Sequence, residues 1–152
     1  MTKTTLPRIL FTGSQTWDDP TLIWRECDDL LAEYGPFVAV HGACPRGADK
    51  HVADWITTRR ADGVQVAEEP HPADWENCTP GCRAGHRRVN RRGTEYCPLA
   101  GHRRNRDMCA LGPYRTYRAF IRDGSSGATG CANQAERHGI VGARIPYPVG
   151  VR

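Results

Sequence analysis

Apolar residues along this chain alternate between short continuous runs and longer segments with helical spacing. Runs such as ILF and VAV have the length of buried strands, whereas the segment from Pro20 has apolar positions three and four residues apart. Gly35 and Pro36 end that helical pattern. The pattern predicts strands at 8–13, 37–41, 64–67, 117–121 and 143–147, and helices at 20–34, about 47–60, 105–111 and 129–138.

The alternation of strands and helices predicts the fold class. Sequential strands joined by helices require crossover connections, which favour right-handed units and a mostly parallel sheet. We therefore expect an α/β fold, a Rossmann-like three-layer sandwich with a Cys/His-rich loop insertion, in a single domain spanning residues 1–152. In such sheets the ligand site lies beyond the carboxyl ends of the strands.

The periodicity fails between Pro70 and Ala100, where Pro, Gly, Arg, Cys and His dominate. Inside a compact domain such a segment is either a disordered insert or a functional loop with its own staple. Residues 76–106 hold eight arginines against two glutamates, so the chain's net charge of +4 is concentrated in this segment. A basic patch of this kind can face phosphates, and exposed arginines also keep a loop solvated.

Composition narrows the class of protein. Apolar residues make up 39% and charged residues 25% of the chain, and with a mean hydropathy of −0.60 this excludes a membrane span. The apolar stretch before Gly13 is too short for a secretory signal, so we expect a cytoplasmic protein. Seven cysteines are an odd number, which favours reduced thiols or metal ligands over a disulfide framework.

Five residues of the insertion carry metal-ligand chemistry in the pattern C-x3-C-x3-H-x10-C-x4-H: Cys78, Cys82, His86, Cys97 and His102. The first four predict a structural zinc that staples residues 76–102 and leaves no open coordination position. His102 is the spare ligand because it opens an Arg-Arg-Asn motif that a ligand pocket would use. The alternative is a loop of reduced cysteines without metal.

Three glycine-rich turns each follow a predicted strand and open a helix: FTGSQTW, HGACPRGAD and RDGSSGAT. A helix N-terminus presents free N–H groups and a favourable dipole to an anion, and glycine lets a phosphate approach the backbone. The turns therefore predict a phosphate-bearing, nucleotide-type ligand. The candidate residues that these turns supply are Gly13, Ser14, Gln15, Trp17, His41, Gly42, Arg46, Gly47, Asp49, Asp123, Gly124, Ser125, Ser126, Gly127 and Thr129.

Several of these residues have a structural alternative. Trp17 offers a stacking face for a base, or it covers the end of the core. Asp49 contacts a ribose or base, or it only complements the helix dipole. Thr129 belongs to a phosphate loop, or it is an N-cap. Cys44 and Cys131 lie near these turns and are interpreted, with the other two cysteines outside the insertion, as small packing residues.

The motifs FTGSQTW, HGACPRGAD, PHPADW, AGHRRNRDM and FIRDGSSGAT together resemble the YspA/YpsA-like branch of the SLOG superfamily, which includes SMF/DprA and LOG proteins. The resemblance implies a Rossmann-like fold whose strand-end pocket binds a nucleotide or nucleotide-derived small molecule, as a ligand sensor or processing protein. It adds Arg104 and Asn105 to the pocket. Related folds often self-associate, but the sequence marks no exposed stripe as an interface.

LOG relatives cleave an N-glycosidic bond with the glutamate of a PGGxGTxxE motif, where a carboxylate stabilises an oxocarbenium-like centre. Matching Thr129 to the motif's threonine places Ala132 at the glutamate position, so Asp49 or Asp123 would have to act instead. The first alternative function is therefore a nucleotide N-glycosidase or phosphoribohydrolase. The second is a nucleic-acid-binding protein that uses the arginine run Arg87, Arg88, Arg91 and Arg92.

Overall fold

The computed structural model describes residues 5–148, which form a five-stranded sheet, four helices and a small hairpin. No helix within these residues is both long enough and apolar enough to cross a membrane. In chain order the elements are β1 (Arg8–Gly13), α1 (Pro20–Tyr34), β2 (Val38–His41), α2 (Ala48–Ala61), β3 (Ala67–Pro70), β4 (Arg88–Val89), β5 (Glu95–Tyr96), α3 (Ala100–Ala110), β6 (Thr116–Ile121), α4 (Ser126–Arg137) and β7 (Ala143–Pro146).

The sheet has the strand order β3-β2-β1-β6-β7, and every neighbouring pair is parallel. Leu10 lies in register with Val40 on one side and Tyr117 on the other, so β1 is the central strand. The predicted Rossmann-like α/β fold is confirmed. Because the strands are parallel, the carboxyl ends of β1, β2 and β6 meet at one edge of the sheet.

Two hydrophobic cores cover the two faces of the sheet. Successive side chains of a strand point to opposite faces, so Ile9 and Phe11 pack with α1 and α2 while Leu10 packs with α3 and α4. Phe37 and Trp55 stack in the first core, with ring centroids 5.5 Å apart. This gives the three layers that the pattern predicts.

The third strand was predicted three residues too early. Helix α2 is followed by a turn in which Gly63 has a φ of +88°. In this turn Val64 donates its N–H back to the carbonyl of Arg59, so it is not yet available to the sheet. The strand begins only at Ala67, whose N–H donates to the carbonyl of Phe37. Val66 belongs to the first hydrophobic core and Val64 packs against it, although both residues precede the strand.

Two helices begin earlier than predicted. Helix α3 starts at Ala100 and not at residue 105. The N–H of Ala100 donates to the carbonyl of Cys97, so the first turn of the helix is bonded to the insertion. Helix α4 starts at Ser126, not at residue 129, since the N–H of Thr129 already donates to the carbonyl of Ser125. In both cases the first turn is made of glycine and polar residues, which show no apolar periodicity.

Candidate ligand cavity and metal cluster

A cavity of about 420 Å³ opens at the carboxyl ends of β1, β2 and β6, between α3 and the N-termini of α2 and α4. This volume lies in the range of small-molecule sites. The three glycine-rich turns predicted a ligand site at this edge of the sheet, and residues from all three turns line the cavity. The predicted ligand residues that line it are Gly13, Ser14, Gln15, Gly42, Asp49, Arg104, Asn105, Asp123, Ser125, Ser126 and Gly127.

The N-terminus of α4 forms one wall of the cavity. Ser126, Gly127 and Ala128 make its first turn and line the cavity. The first N–H groups of a helix have no acceptor within the helix, and the helix dipole adds partial positive charge there. This wall is therefore suited to a phosphate or another anion.

The other two glycine turns use several of their N–H groups internally. Ser14 donates its N–H to the carbonyl of Phe120 (2.9 Å), and its hydroxyl accepts from the N–H of Arg122 (2.8 Å). Ala48 donates its N–H to the carbonyl of Ser14 (3.1 Å). Gly47, with a φ of +80°, packs against Ser14 outside the cavity. The N–H groups of Ser14 and Ala48 thus join the first two turns to each other. Ser14 still lines the cavity and Gly47 does not, and the phosphate contacts predicted for them stay predictions.

Asp49 lies in the first turn of α2 and is only 6% exposed, with its side chain lining the cavity. Oδ2 accepts from the N–H of Cys44 (3.3 Å), whereas Oδ1 has no hydrogen-bond partner. Burial raises the pKa of this carboxyl group, and nearby His41 opposes that shift. A buried oxygen without a partner is costly unless a ligand or water compensates it.

Arg104 brings a positive charge to the cavity. Its Nη1 donates to the carbonyls of Gly42 and His71, and its Nε donates to Oδ1 of Asn105 (2.7 Å). All these acceptors are neutral, so the guanidinium charge is still available to attract an anion. Asn105 in turn donates to the carbonyl of Gly127 (3.4 Å), which joins α3 to the first turn of α4.

Gly42 leaves room for the Arg104 guanidinium where β2 leaves the sheet. A Cβ at this position would lie 2.5 Å from Cζ of Arg104, so any side chain would displace the guanidinium. Gly42, predicted as a ligand contact, therefore also packs directly against the guanidinium of Arg104. The reason is close packing rather than a left-handed backbone conformation.

The stacking role predicted for Trp17 is wrong. Its side chain is 1% exposed and packs edge-on against Phe120 and Tyr147, with ring centroids 5.4 and 4.9 Å away. Nε1 donates to the carbonyl of Asp19 (2.6 Å). The alternative interpretation holds: the tryptophan covers the end of the core.

Four further candidates lie outside the lining of the cavity. His41 is 3% exposed, and both ring nitrogens are occupied: Nδ1 accepts from the N–H of Ala43 (3.0 Å) and Nε2 lies 2.8 Å from Glu68 Oε2. Arg46 is exposed and lies 3.4 Å from Gln15 Oε1. Gly124 and Thr129 flank the lining residues of the third turn without joining them.

Sequence reasoning missed part of the lining. The first turn of α3 and the insertion contribute Trp75, Pro98, Gly101 and His102. Trp75 lies in the PHPADW motif, which was the available signal. His102, the predicted spare metal ligand, faces the cavity instead. The remaining lining residues that were missed are Thr12, Thr16, Cys44, Met108 and Arg122. Ala128, which also lines the cavity, lies inside the third predicted turn.

The insertion brings the four predicted metal ligands together. Single ligand atoms of Cys78, Cys82, His86 and Cys97 all lie within 4.8 Å of one another. Cys82 and Cys97 Sγ are 3.9 Å apart, and Cys97 Sγ is 3.7 Å from His86 Nε2. Zn–S bonds of about 2.3 Å at tetrahedral angles place two sulfurs about 3.8 Å apart, so this Cys3His cluster fits a tetrahedral metal ion.

Local structure explains why these four residues meet. The antiparallel pair β4 and β5 places His86, just before β4, beside Cys97, which directly follows β5. At the tip of this hairpin the Asn90 side chain accepts from the N–H groups of Arg92 and Thr94. A separate turn, in which Cys82 donates its N–H to the carbonyl of Thr79 (3.0 Å), brings in the other two cysteines.

Two arginines of the basic segment lie within hydrogen-bond distance of the cysteine sulfurs of the cluster. Arg103 Nη1 lies 3.4 Å from Cys97 Sγ and 3.5 Å from Cys82 Sγ, and Arg87 Nη1 lies 3.5 Å from Cys78 Sγ. Burial raises the pKa of the Cys97 thiol, but the hydrogen bond from Arg103 and other donors outweigh it and lower the pKa to about 7. Arg103 thus favours the thiolate of Cys97, as a metal ion requires, whereas burial and the neighbouring thiols raise the pKa of Cys78 despite Arg87.

Comparisons with known proteins match parts of this chain. Gene 61 protein of Mycobacterium phage D29 is 44% identical over 71 residues, which are 45% of this chain and 55% of the phage protein, so the chain spans about half of its length. A muconate lactonizing enzyme from Mycobacterium smegmatis aligns with 92% of this chain and 46% of its own chain, at 15% identity and a TM-score of 0.29. Residues 7–77, just under half of the chain, match the model of the YspA, cpYpsA-related SLOG family.

Proposed function

We propose that this chain binds a nucleotide or nucleotide-derived small molecule in the cavity, with the ligand's phosphate at the N-terminus of α4. The family of residues 7–77 supports a nucleotide-related function. The first turn of α4 supplies the anion-binding wall, and the guanidinium of Arg104 adds positive charge. The role proposed is ligand sensing or ligand processing.

The observation that carries this proposal is that Asp49, a buried residue whose Oδ1 has no hydrogen-bond partner, lines the same cavity. A carboxyl group is a hydrogen-bond acceptor and adds no positive charge for a phosphate. It suits a ligand that carries hydroxyl or amino donors as well as an anion. A ribose phosphate with its base has both kinds of group, and Asp49 would accept from the ribose or the base.

We also propose that the Cys3His cluster holds a structural zinc. Three thiolates and one imidazole complete a tetrahedron and leave no open position for substrate, which is the pattern of structural zinc. The ion would replace the hydrophobic core that this polar insertion cannot form. Reduced thiols of this kind suit a cytoplasmic protein.

The test is calorimetric titration of the zinc-loaded chain with AMP, GMP, CMP and UMP and with the corresponding nucleosides. We expect at least one monophosphate to bind, and to bind about tenfold or more tightly than its nucleoside because of the phosphate contacts. Asp49→Asn should weaken binding, whereas Asp54→Asn, on the solvent side of the same helix, should not. Equal affinity for monophosphate and nucleoside, or no binding at all, would contradict the proposal.

The same mixtures test the enzymatic alternative. Asp49 is buried in the cavity with a raised pKa, as a general acid would be, although Ala132 occupies the position of the LOG glutamate and is fully buried. Chromatography after incubation would detect a released base. Release that disappears in Asp49→Asn would identify an N-glycosidase, whereas an intact nucleotide identifies a binding protein.

A nucleic-acid interface is the remaining alternative for the basic segment. Arg88, Arg91 and Arg92 are exposed on the β4–β5 hairpin, whereas Arg87 is bonded to the cluster. Binding through these arginines would depend steeply on salt. Affinity for DNA or RNA that is lost when the three exposed arginines are replaced by alanine would support this alternative.

A further inference from the structure

We propose that Trp75 is the residue on which the base of the bound nucleotide stacks; this inference rests on the proposed function. Trp75 precedes the metal-binding residues and lines the cavity. Its side chain is 40% exposed, whereas Trp17 and Trp55 are buried. A large aromatic group that stays exposed inside a small-molecule cavity is available to a flat ligand.

The indole is held in place from two sides. Its six-membered ring lies against Gly101 in the first turn of α3, where an added Cβ would be 3.0 Å from Cη2. Tyr96 packs edge-on against it, with ring centroids 6.0 Å apart. The backbone is also fixed, because Cys97 donates its N–H to the carbonyl of Trp75 (2.8 Å). A preorganised aromatic group loses little entropy when a ligand stacks on it.

The position of Trp75 relative to the phosphate wall fits a nucleotide. Gly101, under the indole, and Asn105, which bonds to Gly127 in the phosphate wall, lie four residues apart on α3. Residues at this spacing share a helix face and are separated by about 6 Å along the axis. A ribose fills such a gap between a base and its 5′-phosphate. The face thus presents the groups in the order base, sugar and phosphate.

In this arrangement Trp75, at the start of the insertion, provides the preference for a ligand that carries a base. The phosphate wall and Asp49 recognise groups that all nucleotides share, whereas Trp75 distinguishes a ligand with a base from a bare sugar phosphate. Stacking tolerates any base, since each has a π face. The class of ligand is therefore a nucleoside 5′-phosphate and not a sugar phosphate.

The experiment compares the best-bound of AMP, GMP, CMP and UMP with ribose 5-phosphate, by calorimetry on zinc-loaded protein. Wild type should bind the nucleotide about tenfold or more tightly than ribose 5-phosphate. Trp75→Leu should remove this preference and leave affinity for ribose 5-phosphate within about twofold, whereas Trp75→Phe should keep most of it. A zinc content of one per chain in each variant shows that the loop is intact.

Fluorescence gives a readout that does not require Trp75→Leu to fold. Nucleotide should quench tryptophan emission in wild type and in Trp24→Phe, which changes a residue remote from the cavity, but not in Trp75→Phe. Three results would overturn the inference and leave the proposed function standing. They are a preference for nucleotide that survives in Trp75→Leu, quenching that persists in Trp75→Phe, and a wild type that shows no preference for nucleotide over ribose 5-phosphate. Wild type that binds neither probe overturns both.

Discussion

Arg103 Nη1 lies 3.4 Å from Cys97 Sγ and so connects helix α3 to the metal cluster. Its Nη2 donates to the carbonyl of Asn77 (2.9 Å), in the stretch between Trp75 and the first metal ligand. The next two residues of the helix, Arg104 and Asn105, line the ligand cavity. The Cys3His cluster and the cavity therefore both contact helix α3.

The first prediction concerns which histidine binds the metal. His86→Gln and Cys82→Ser should lose zinc, because each removes a member of the four-residue cluster. His102→Gln should keep one zinc per chain, since His102 lines the cavity instead. Elemental analysis of the purified proteins measures this directly. Zinc that persists in His86→Gln but is lost in His102→Gln would show that the fourth ligand is misassigned.

The second prediction concerns the arginine that supports the thiolates. Arg103→Gln should lower zinc affinity by roughly tenfold or more, as loss of a partner of metal ligands commonly does. Arg106→Gln, an exposed position on the same helix, provides the matched control. Competition with a chromophoric chelator gives both affinities. Equal affinities in the two variants would mean that Arg103 only packs against the loop.

The third prediction concerns Gly42, which lies against the guanidinium of Arg104. Gly42→Ala should weaken nucleotide binding and destabilise the protein by about 1–3 kcal/mol, because the added Cβ must displace the guanidinium. Gly130→Ala, in α4, meets no atom within 4 Å and should be neutral or stabilising by up to about 1 kcal/mol. Urea denaturation and calorimetry measure the two effects. Wild-type values for Gly42→Ala would refute the assigned position of Arg104.

The fourth prediction concerns pH. Burial raises the pKa of Asp49 above its ordinary value of 3.8, so the folded state holds this proton more strongly than the unfolded state. The resulting stabilisation is complete below the ordinary pKa and is lost as pH rises through the raised one. Asp49→Asn cannot ionise, so its free energy of unfolding should increase relative to wild type as pH rises.

Urea denaturation of wild type and Asp49→Asn, with zinc saturating, tests this from about pH 5 to about pH 8. Both proteins have the same metal ligands. The effect of protonating those ligands on the unfolding free energy therefore cancels when the two proteins are compared at the same pH. A difference in unfolding free energy that stays constant with pH would show that Asp49 is not held in a raised-pKa environment.

The sequence predicted the features that follow from local periodicity and spacing. Buried strands β1 and β6 and the helix from Pro20 have strong apolar patterns, and their positions agree with the structure to within a residue. The meeting of Cys78, Cys82, His86 and Cys97 was also predictable, because thiol and imidazole groups at short spacing in a polar loop are typical of a metal-binding cluster. These signals depend on residue type and position alone.

The remaining features depend on tertiary contacts that a sequence does not display. Trp17 and Trp75 both follow polar turn residues, yet one is buried under Phe120 and the other lies exposed in the cavity. The carbonyl of Ser14, far from α2 in sequence, accepts from the first N–H of that helix and removes it from the ligand site. Which of the three turns presents free N–H groups to the cavity therefore depends on packing between the turns.

Native mass spectrometry of the zinc-loaded chain, titrated with the four ribonucleoside 5′-monophosphates, tests the central claim most directly. We predict a 1:1 adduct with at least one nucleotide, which wild type forms and Gly42→Ala forms only weakly. Zinc-loaded wild type that shows no adduct with any of the four nucleotides, at millimolar concentration, would contradict the account.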